Sequence, residues 1–375
     1  MHPPERAIPA GPVPAPAELR SFVGAATLAP SPDNNQPWLF DVRADGVLVC
    51  HDPARALPSD VDSMFSLIGL GAAVENLCVA ARQGGWEPAV EFLGARPWAG
   101  ESPFADTVAL VRFRPGAGPD PLAPFLVGRA TCRKPYRRRP VPGPALRALE
   151  KELAGFAELA LHWTSDGASL RALAGLVAAA DRVRFEYQPF HEELYRQLRF
   201  SREEAEGTRD GLDVRCLEIP PAAAAVLHWL RPWNRMRALN RLGLSRLLSI
   251  QSAWLTWRTG TIGLLTTAAP TREGYFRAGR GLERVWLKAT ELALAFHPLG
   301  SIPIFFARLF RQAGEGLTGN HRGALTRLVR PFYGLFPAAR GRALVLLIRL
   351  GEAGPPVVRS LRRPEREVIR TGEIA

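Results

Sequence analysis

Cysteine is scarce in this chain and never closely spaced: Cys50, Cys78, Cys132 and Cys216 form no CxxC pair and no Cys/His cluster. That spacing excludes a zinc ribbon and gives no disulfide framework. Buried free thiols in a reducing cytoplasm are the expectation. Lysine is nearly missing, with only Lys134, Lys151 and Lys288 among 48 Lys and Arg residues. An arginine excess of this kind follows from a base-composition bias as readily as from phosphate or carboxylate binding. The best candidate for a membrane span, Ala289 to Phe310, contains Glu291, His297, Pro298, Gly300 and Pro303 and is broken midway. No transmembrane segment is expected.

What is present fits a globular chain. Its 375 residues are 47% hydrophobic, enough for a sizeable core, and the 34 glycines and 34 prolines are scattered. Residues 1–16 hold six prolines and few large apolar side chains, so a disordered leader is expected there. The net charge of +12 raises the question of nucleic acid. Yet the arginines are dispersed and often alternate with acids, as in Arg202-Glu203-Glu204, and no nucleic-acid partner is expected. Two basic clusters stand out, Arg133 to Arg139 and Arg359 to Arg370. The Arg-rich amphipathic stretch from Leu227 to Leu248 leaves association with an anionic membrane surface open.

The most informative stretch is Ala29-Pro30-Ser31-Pro32-Asp33-Asn34-Asn35-Gln36-Pro37-Trp38. Its prolines, amides and hydroxyl make a rigid loop whose donors and acceptors suit the heteroatom edge of a planar ligand; a plain helix-to-strand connection is the alternative. Before it, Leu19, Phe22, Val23, Ala26 and Thr27 mark a short amphipathic helix. After it, two apolar runs flank Ala44-Asp45-Gly46 as a hairpin. Further strands are expected at Glu87–Phe92, Thr107–Phe113, Leu159–Trp163, Thr261–Thr267 and Arg342–Arg349. Helices are expected at Phe65–Gln83, Pro144–Leu153, Ser169–Tyr187 and Tyr275–Phe296. The Trp- and Arg-rich stretch at about 219–258 reads as a helical lid or packing segment. Phe125 to Arg133 reads as a helix with a basic turn, which would put Arg129 and Arg133 on one face with Thr131 beside them. Two guanidiniums and a hydroxyl suit a phosphomonoester dianion; a solvated basic turn is the plainer alternative.

Several of these pieces resemble the FMN-dependent nitroreductase superfamily. The Ala29–Trp38 loop is similar to its A-P-S-x-x-N-x-Q-P-W segment, and Gly71–Leu77 to its G-x-A-x-x-N-L core helix. Arg129 to Arg133 is similar to its R-x-[ST]-x-R phosphate motif, and Ala278 to Leu287 to its A-G-x-x-L-x-R-x-W-L helix. Arg362–Val368 resembles its basic C-terminal segment. Pro32 and Asp33 depart from the usual loop, Ala130 replaces a basic residue, and Ala307 to Pro337 has no counterpart.

The resemblance implies an α+β fold, a central mostly antiparallel sheet flanked by helices, built from two unequal pseudo-repeats. The halves are 17–118 and 119–375. In a nitroreductase homodimer one subunit gives the Pro-Ser-Asn-Gln loop and the other the phosphate motif, the backbone turn and the basic tail. Here each piece occurs once, so the chain resembles a fused, lopsided dimer of the monomeric Acg-like branch, able to make one flavin site in cis as a monomer. The implied FMN contacts are Pro30, Ser31, Asn34, Gln36, Arg129, Thr131, Arg133, Pro298, Leu299, Gly300, Arg362 and Arg363. A backbone N–H of Leu299 or Gly300 would meet the reactive flavin edge. Flavin hydride chemistry demands no acid–base side chain, so no catalytic residue is named. His297 is either a proton donor or, more ordinarily, a packing histidine. The implied activity is NAD(P)H-dependent reduction of a small aromatic or quinone-like acceptor. Two alternatives remain: an FMN-sequestering protein with little turnover, and a basic adaptor for membrane or nucleic acid.

Overall fold

The computed structural model describes residues 12–94 and 106–370. Residues 1–11 of the expected leader lie outside them; residues 12–15 carry no regular structure and Pro16 opens the first helix. The fold is α+β, with antiparallel strands flanked by helices.

The first half contributes α1 (Pro16–Thr27), β1 (Trp38–Arg43), β2 (Gly46–His51), α2 (Met64–Gln83), β3 (Trp86–Phe92) and β4 (Thr107–Pro115). The β1–β2 hairpin follows from two apolar runs on either side of Ala44-Asp45, and it pairs in register from Trp38↔His51 to Arg43↔Gly46. Phe40, Val42, Val47 and Val49 join the main core, while Leu39, Leu48, Cys50 and Leu110 form a smaller cluster. The alternation of these positions puts the two sets on opposite faces of the sheet.

The second half runs α3 (Gly143–Lys151), β5 (Leu159–Thr164), α4 (Gly167–Glu186), α5 (Gln188–Gln197), β6 (Leu198–Arg199), α6 (Arg202–Thr208) and β7 (Leu212–Asp213). Then come α7 (Pro221–Trp229), α8 (Trp233–Asn240), α9 (Leu244–Trp257), β8 (Thr261–Thr267) and α10 (Arg272–Glu291). The chain closes with β9 (Ala295–Leu299), α11 (Ser301–Arg311), α12 (Gly319–Leu335), β10 (Ala343–Gly351), α13 (Glu365–Val368) and β11 (Ile369–Arg370). Strands β5-β8-β10-β9 make a second antiparallel sheet, and β6 pairs with β7. The first sheet, β11-β1-β2-β4-β3, is completed by the C-terminal strand, which lies parallel to β1 through Phe40↔Ile369.

Helices α2 and α10 pack directly on each other. A Cβ on Gly71 would stand 1.9 Å from Phe276 O, and one on Gly279 2.0 Å from Ile68 O, so the two helix backbones touch where glycine allows it. Beside that crossing, buried Glu75 accepts from Arg280 Nε at 2.9 Å and from Arg284 Nη1 at 3.1 Å. The main core runs from Leu19 to Val368 without a break between the halves. Helix α2 belongs to Val61–Gln83, the one segment among the described residues long and apolar enough to cross a membrane, and 89% of its apolar window is buried inside the protein.

Two local expectations are corrected. Phe125 to Arg133 is not a helix: only Ala123–Phe125 forms a 3₁₀ turn, and Thr131 makes an isolated parallel bridge to Phe296. Pro121, Pro124 and Gly128 are poor helix formers. The expected helix from Tyr275 to Phe296 ends at Glu291. Ala293 takes a left-handed φ of 54° and turns the chain into β9.

Candidate functional site

A cavity of about 540 Å³ lies where the Pro30–Asn34 loop of the first half faces Leu126–Arg133, Pro298–Ser301 and Val358–Arg362 of the second. Its size falls within the roughly 300–1,000 Å³ usual for small-molecule sites.

The loop is held by backbone and amide contacts. Asp33, Asn34 and Gln36 all have left-handed φ (46°, 57° and 51°), a costly conformation that persists only when its surroundings enforce it. Here Gln36 N donates to Ser31 Oγ at 2.9 Å, and Gln36 Nε2 donates to Arg209 O at 2.9 Å. Asn34 Nδ2 donates to Gly211 O (3.0 Å) and Leu361 O (3.1 Å), while its Oδ1 accepts from Arg362 Nη1 at 2.9 Å. Arg209, Gly211, Leu361 and Arg362 thus brace it from far along the chain, and Arg55 braces it locally, its carbonyl accepting from Asn35 Nδ2 at 2.7 Å.

One end of the cavity is strongly cationic, with Arg129, Arg133, Arg359 and Arg362 in its wall. Arg129 is buried over the Trp286 ring (4.5 Å), donates to Leu28 O at 2.7 Å and pairs with Glu283 at 3.0 Å. Arg133 donates through Nη1 to Cys216 O at 3.1 Å. Arg362 donates to Leu28 O (3.1 Å) and Ala29 O (3.0 Å). Among the described residues only Arg129 of the four has a carboxylate within ion-pair distance. Burial, and then the neighbouring Arg129, push the Arg362 guanidinium down to about 9. Burial pushes the Glu283 carboxyl up to about 7 against the pull of Arg129. A cluster of like charges with one counter-carboxylate is short of anion, and a phosphate dianion would compensate it.

The turn after β9 lies on another part of the wall. A Cβ at Gly300 would meet Phe65 Cζ at 2.8 Å, so the backbone runs hard against that ring. Gly300 also caps α11, where the first-turn N–H groups have no intrahelical acceptor. His297 Nδ1 lies 2.9 Å from Arg349 Nη1. An arginine only donates, so Nδ1 accepts and the neutral ring carries its proton on Nε2. Burial, reinforced by the Arg349 guanidinium, holds the His297 pKa well below its ordinary value. His297 is therefore a fixed hydrogen-bond donor in the cavity wall rather than a cation.

The roof is built by Ala223 and Leu227 of α7 and by Leu248, Gln251, Ser252 and Leu255 of α9. The lid expectation for about 219–258 thus corresponds to three helices, two of which line the cavity. Away from the arginine cluster, Glu193 accepts from Ser59 N at 2.7 Å and Arg308 Nη2 donates to Ser59 O at 2.9 Å.

Ten of the residues expected in the site line this cavity: Pro30, Ser31, Asn34, Arg129, Thr131, Arg133, Pro298, Leu299, Gly300 and Arg362. Gln36 and Arg363 do not. Gln36 is fully buried behind the loop and its Oε1 accepts from Arg363 N, while the Arg363 side chain turns to Glu367. Gln36, itself part of the loop, thus ties it to Arg363. Arg359, Phe65, Glu193 and Arg308 line the cavity without having been singled out. Arg359 lay in a noted basic cluster; nothing in the local sequence of the other three marks them.

No family model matches the chain. An uncharacterized protein of Mycobacterium tuberculosis, MT1398, is 27% identical over 348 residues, covering 90% of this chain and 46% of that protein. The chain thus spans about half the length of this curated relative. Among solved structures, the FMN-dependent nitroreductase NfnB of Mycobacterium smegmatis, in complex with NADPH, aligns at 18% identity and a TM-score of 0.39. It covers 66% of this chain and 96% of that one. A nitroreductase with bound FMN from Bacteroides fragilis aligns at 10% identity and a TM-score of 0.35, covering 68% and 100%.

Proposed function

We infer that this chain is an FMN-dependent oxidoreductase of the nitroreductase type, with one flavin site made in cis by its two unequal halves. The observation that carries this reading is the shared wall of the cavity. The Pro-Ser-Asn loop, the Arg129–Thr131–Arg133 segment, the end of β9 at Pro298–Gly300 and Arg362 come from distant parts of the sequence and meet around one volume. The donor set fits the group, because the arginine cluster lacks the anion that a flavin phosphate would supply.

In this reading Arg133 and Arg129 bind the phosphate, and Arg362 holds the Pro30–Asn34 loop in place rather than reaching the ligand. FMN, when bound, supplies a ring that takes up and passes on a hydride. Ser31 and the backbone around Leu299 and Gly300 position that ring, and Phe65 limits its approach. His297 presents a neutral N–H, which stabilises negative charge without adding a full positive one. Helices α7 and α9 restrict water above the cavity. The electron donor is NAD(P)H and the acceptor a small aromatic or quinone-like molecule. The four buried free cysteines support a cytoplasmic setting.

A second reading, FMN sequestration with little turnover, is favoured by the same apolar roof, in which Leu227, Leu248 and Leu255 line the cavity. The absorption spectrum of the purified protein, followed by NADH and NADPH oxidation with a quinone, separates the possibilities. Bound flavin with turnover supports the reductase, and bound flavin that neither nucleotide reduces supports sequestration. A protein that neither retains nor rebinds FMN contradicts both.

A further inference from the structure

We propose that the outer face of α7, α8 and α9 docks this protein on the surface of an anionic phospholipid bilayer. From Ile219 to Arg272 the sequence contains no Asp or Glu, although 22% of the whole chain is charged. The segment 219–258 carries six arginines, Arg231, Arg235, Arg237, Arg241, Arg246 and Arg258, and all six are exposed. None of them has a carboxylate within ion-pair distance among the described residues. Elsewhere the arginines are extensively paired, as Arg280 and Arg284 are with Glu75.

The apolar side of the same face is equally unusual. Trp229 is 51% exposed, Leu242 85%, Leu247 63%, Ile250 57% and Trp254 45%. These residues are not a failed core, because the helices already have one. Leu230 and Met236 are fully buried with Tyr195, Leu198 and Leu212, and Leu227, Trp233, Leu239, Leu244 and Leu248 pack against them. On α9 the exposed positions Leu247, Ile250 and Trp254 recur at helical spacing, opposite the buried Ser245, Ser249 and Thr256, and Arg258 follows at the helix end. A helix set with one satisfied apolar face, exposed apolar side chains in solvent and arginines that have no carboxylate partner, one of them (Arg235) lying over Trp229, has the composition of an interfacial membrane anchor.

Charge chooses the occupant. Six exposed guanidiniums without carboxylate partners, on a segment that itself carries no acid, are complementary to phosphodiester headgroups, and the exposed indoles and leucines fit the acyl boundary beneath them. An acidic protein would satisfy the arginines and leave Leu242 and Leu247 without an apolar partner; a nucleic acid would do the same. Docking involves no cofactor, so it stands apart from the flavin reading.

The test is flotation of the full-length protein with phosphatidylcholine vesicles, alone and with phosphatidylglycerol added. Wild type should bind the mixed vesicles and not the neutral ones, release at high salt, and lose tryptophan fluorescence to lipids brominated in the acyl chain. The triple variant Arg237→Glu/Arg241→Glu/Arg246→Glu should bind on the order of a hundredfold more weakly, from about fivefold per arginine near an anionic surface. Arg322→Glu/Arg327→Glu/Arg330→Glu on α12 makes the same change in net charge with exposed arginines elsewhere, and should keep most of the binding. Thermal melting of both variants establishes that they fold. Equal loss in the two triple variants would reduce the effect to net charge and overturn the proposal. So would absence of vesicle binding by wild type, or binding to duplex DNA in place of vesicles.

Discussion

Replacing Arg133 by alanine should weaken FMN binding while leaving riboflavin binding and folding nearly untouched. Arg133 is half-buried in the cavity wall, and its side chain makes one neutral hydrogen bond, to Cys216 O at 3.1 Å. Its structural tie to Glu218 is made by the backbone N–H, which alanine retains. The lost folding contribution is therefore small, about 1 kcal/mol. Against a phosphate dianion the same guanidinium makes a charge-assisted hydrogen bond worth about 1.5–3 kcal/mol, so the Kd for FMN should rise by roughly 10- to 150-fold. Riboflavin lacks the phosphate, and its Kd should shift by less than about twofold if Arg133 meets only that group. Fluorescence titration of both flavins into apoprotein gives the two values. Equal weakening of both, or no change in either, would refute the placement of the phosphate beside Arg133. Arg362→Ala serves as the contrast: it strips hydrogen bonds from Leu28, Ala29 and Asn34, so it should weaken both flavins and lower the melting temperature.

Four further outcomes follow from the packing and the buried charges. Gly279→Ala drives a methyl to 2.0 Å from Ile68 O and must part α2 from α10, at a cost of about 3 kcal/mol or more in urea unfolding. Gly175→Ala, exposed within α4 with nothing near its Cβ, should instead stabilise by about 1 kcal/mol. Glu283 has its pKa raised by burial, so folding favours its protonated form: its contribution is complete below pH 4.5 and is lost as pH rises toward about 7. Wild-type apoprotein should therefore lose stability across that window relative to Glu283→Gln, by at most about 3 kcal/mol, measured as the difference in pH slope between the two unfolding curves. The fragment 1–118 lacks α10 and the strand after Val368, so it should not melt cooperatively; a soluble fragment with a sharp transition would contradict the shared core.

The sequence made some of this legible because the signals were local. The hairpin at Ala44-Asp45 and the period of α2 need only near neighbours, and the Pro-Ser-Asn loop declares its rigidity by composition. What was hidden depends on contacts far along the chain. Two residues, Ile369 and Arg370, carry no strand periodicity, yet they complete the first sheet because Phe40 offers them an edge. Phe125 to Arg133 reads as a helix that puts Arg129 and Arg133 on one face, but Thr131 instead bridges to Phe296. Gln36 and Arg363 resembled ligand contacts and proved to touch each other behind the loop. A motif marks the neighbourhood of such residues; only the fold tells which side of the wall they occupy.

The central claim is one flavin site made in cis, and light scattering with flavin quantitation on the same purified sample tests it most directly. The account predicts a monomer that holds one FMN per chain. Two FMN per chain, or flavin present only in a dimer and absent from the monomer, would contradict it.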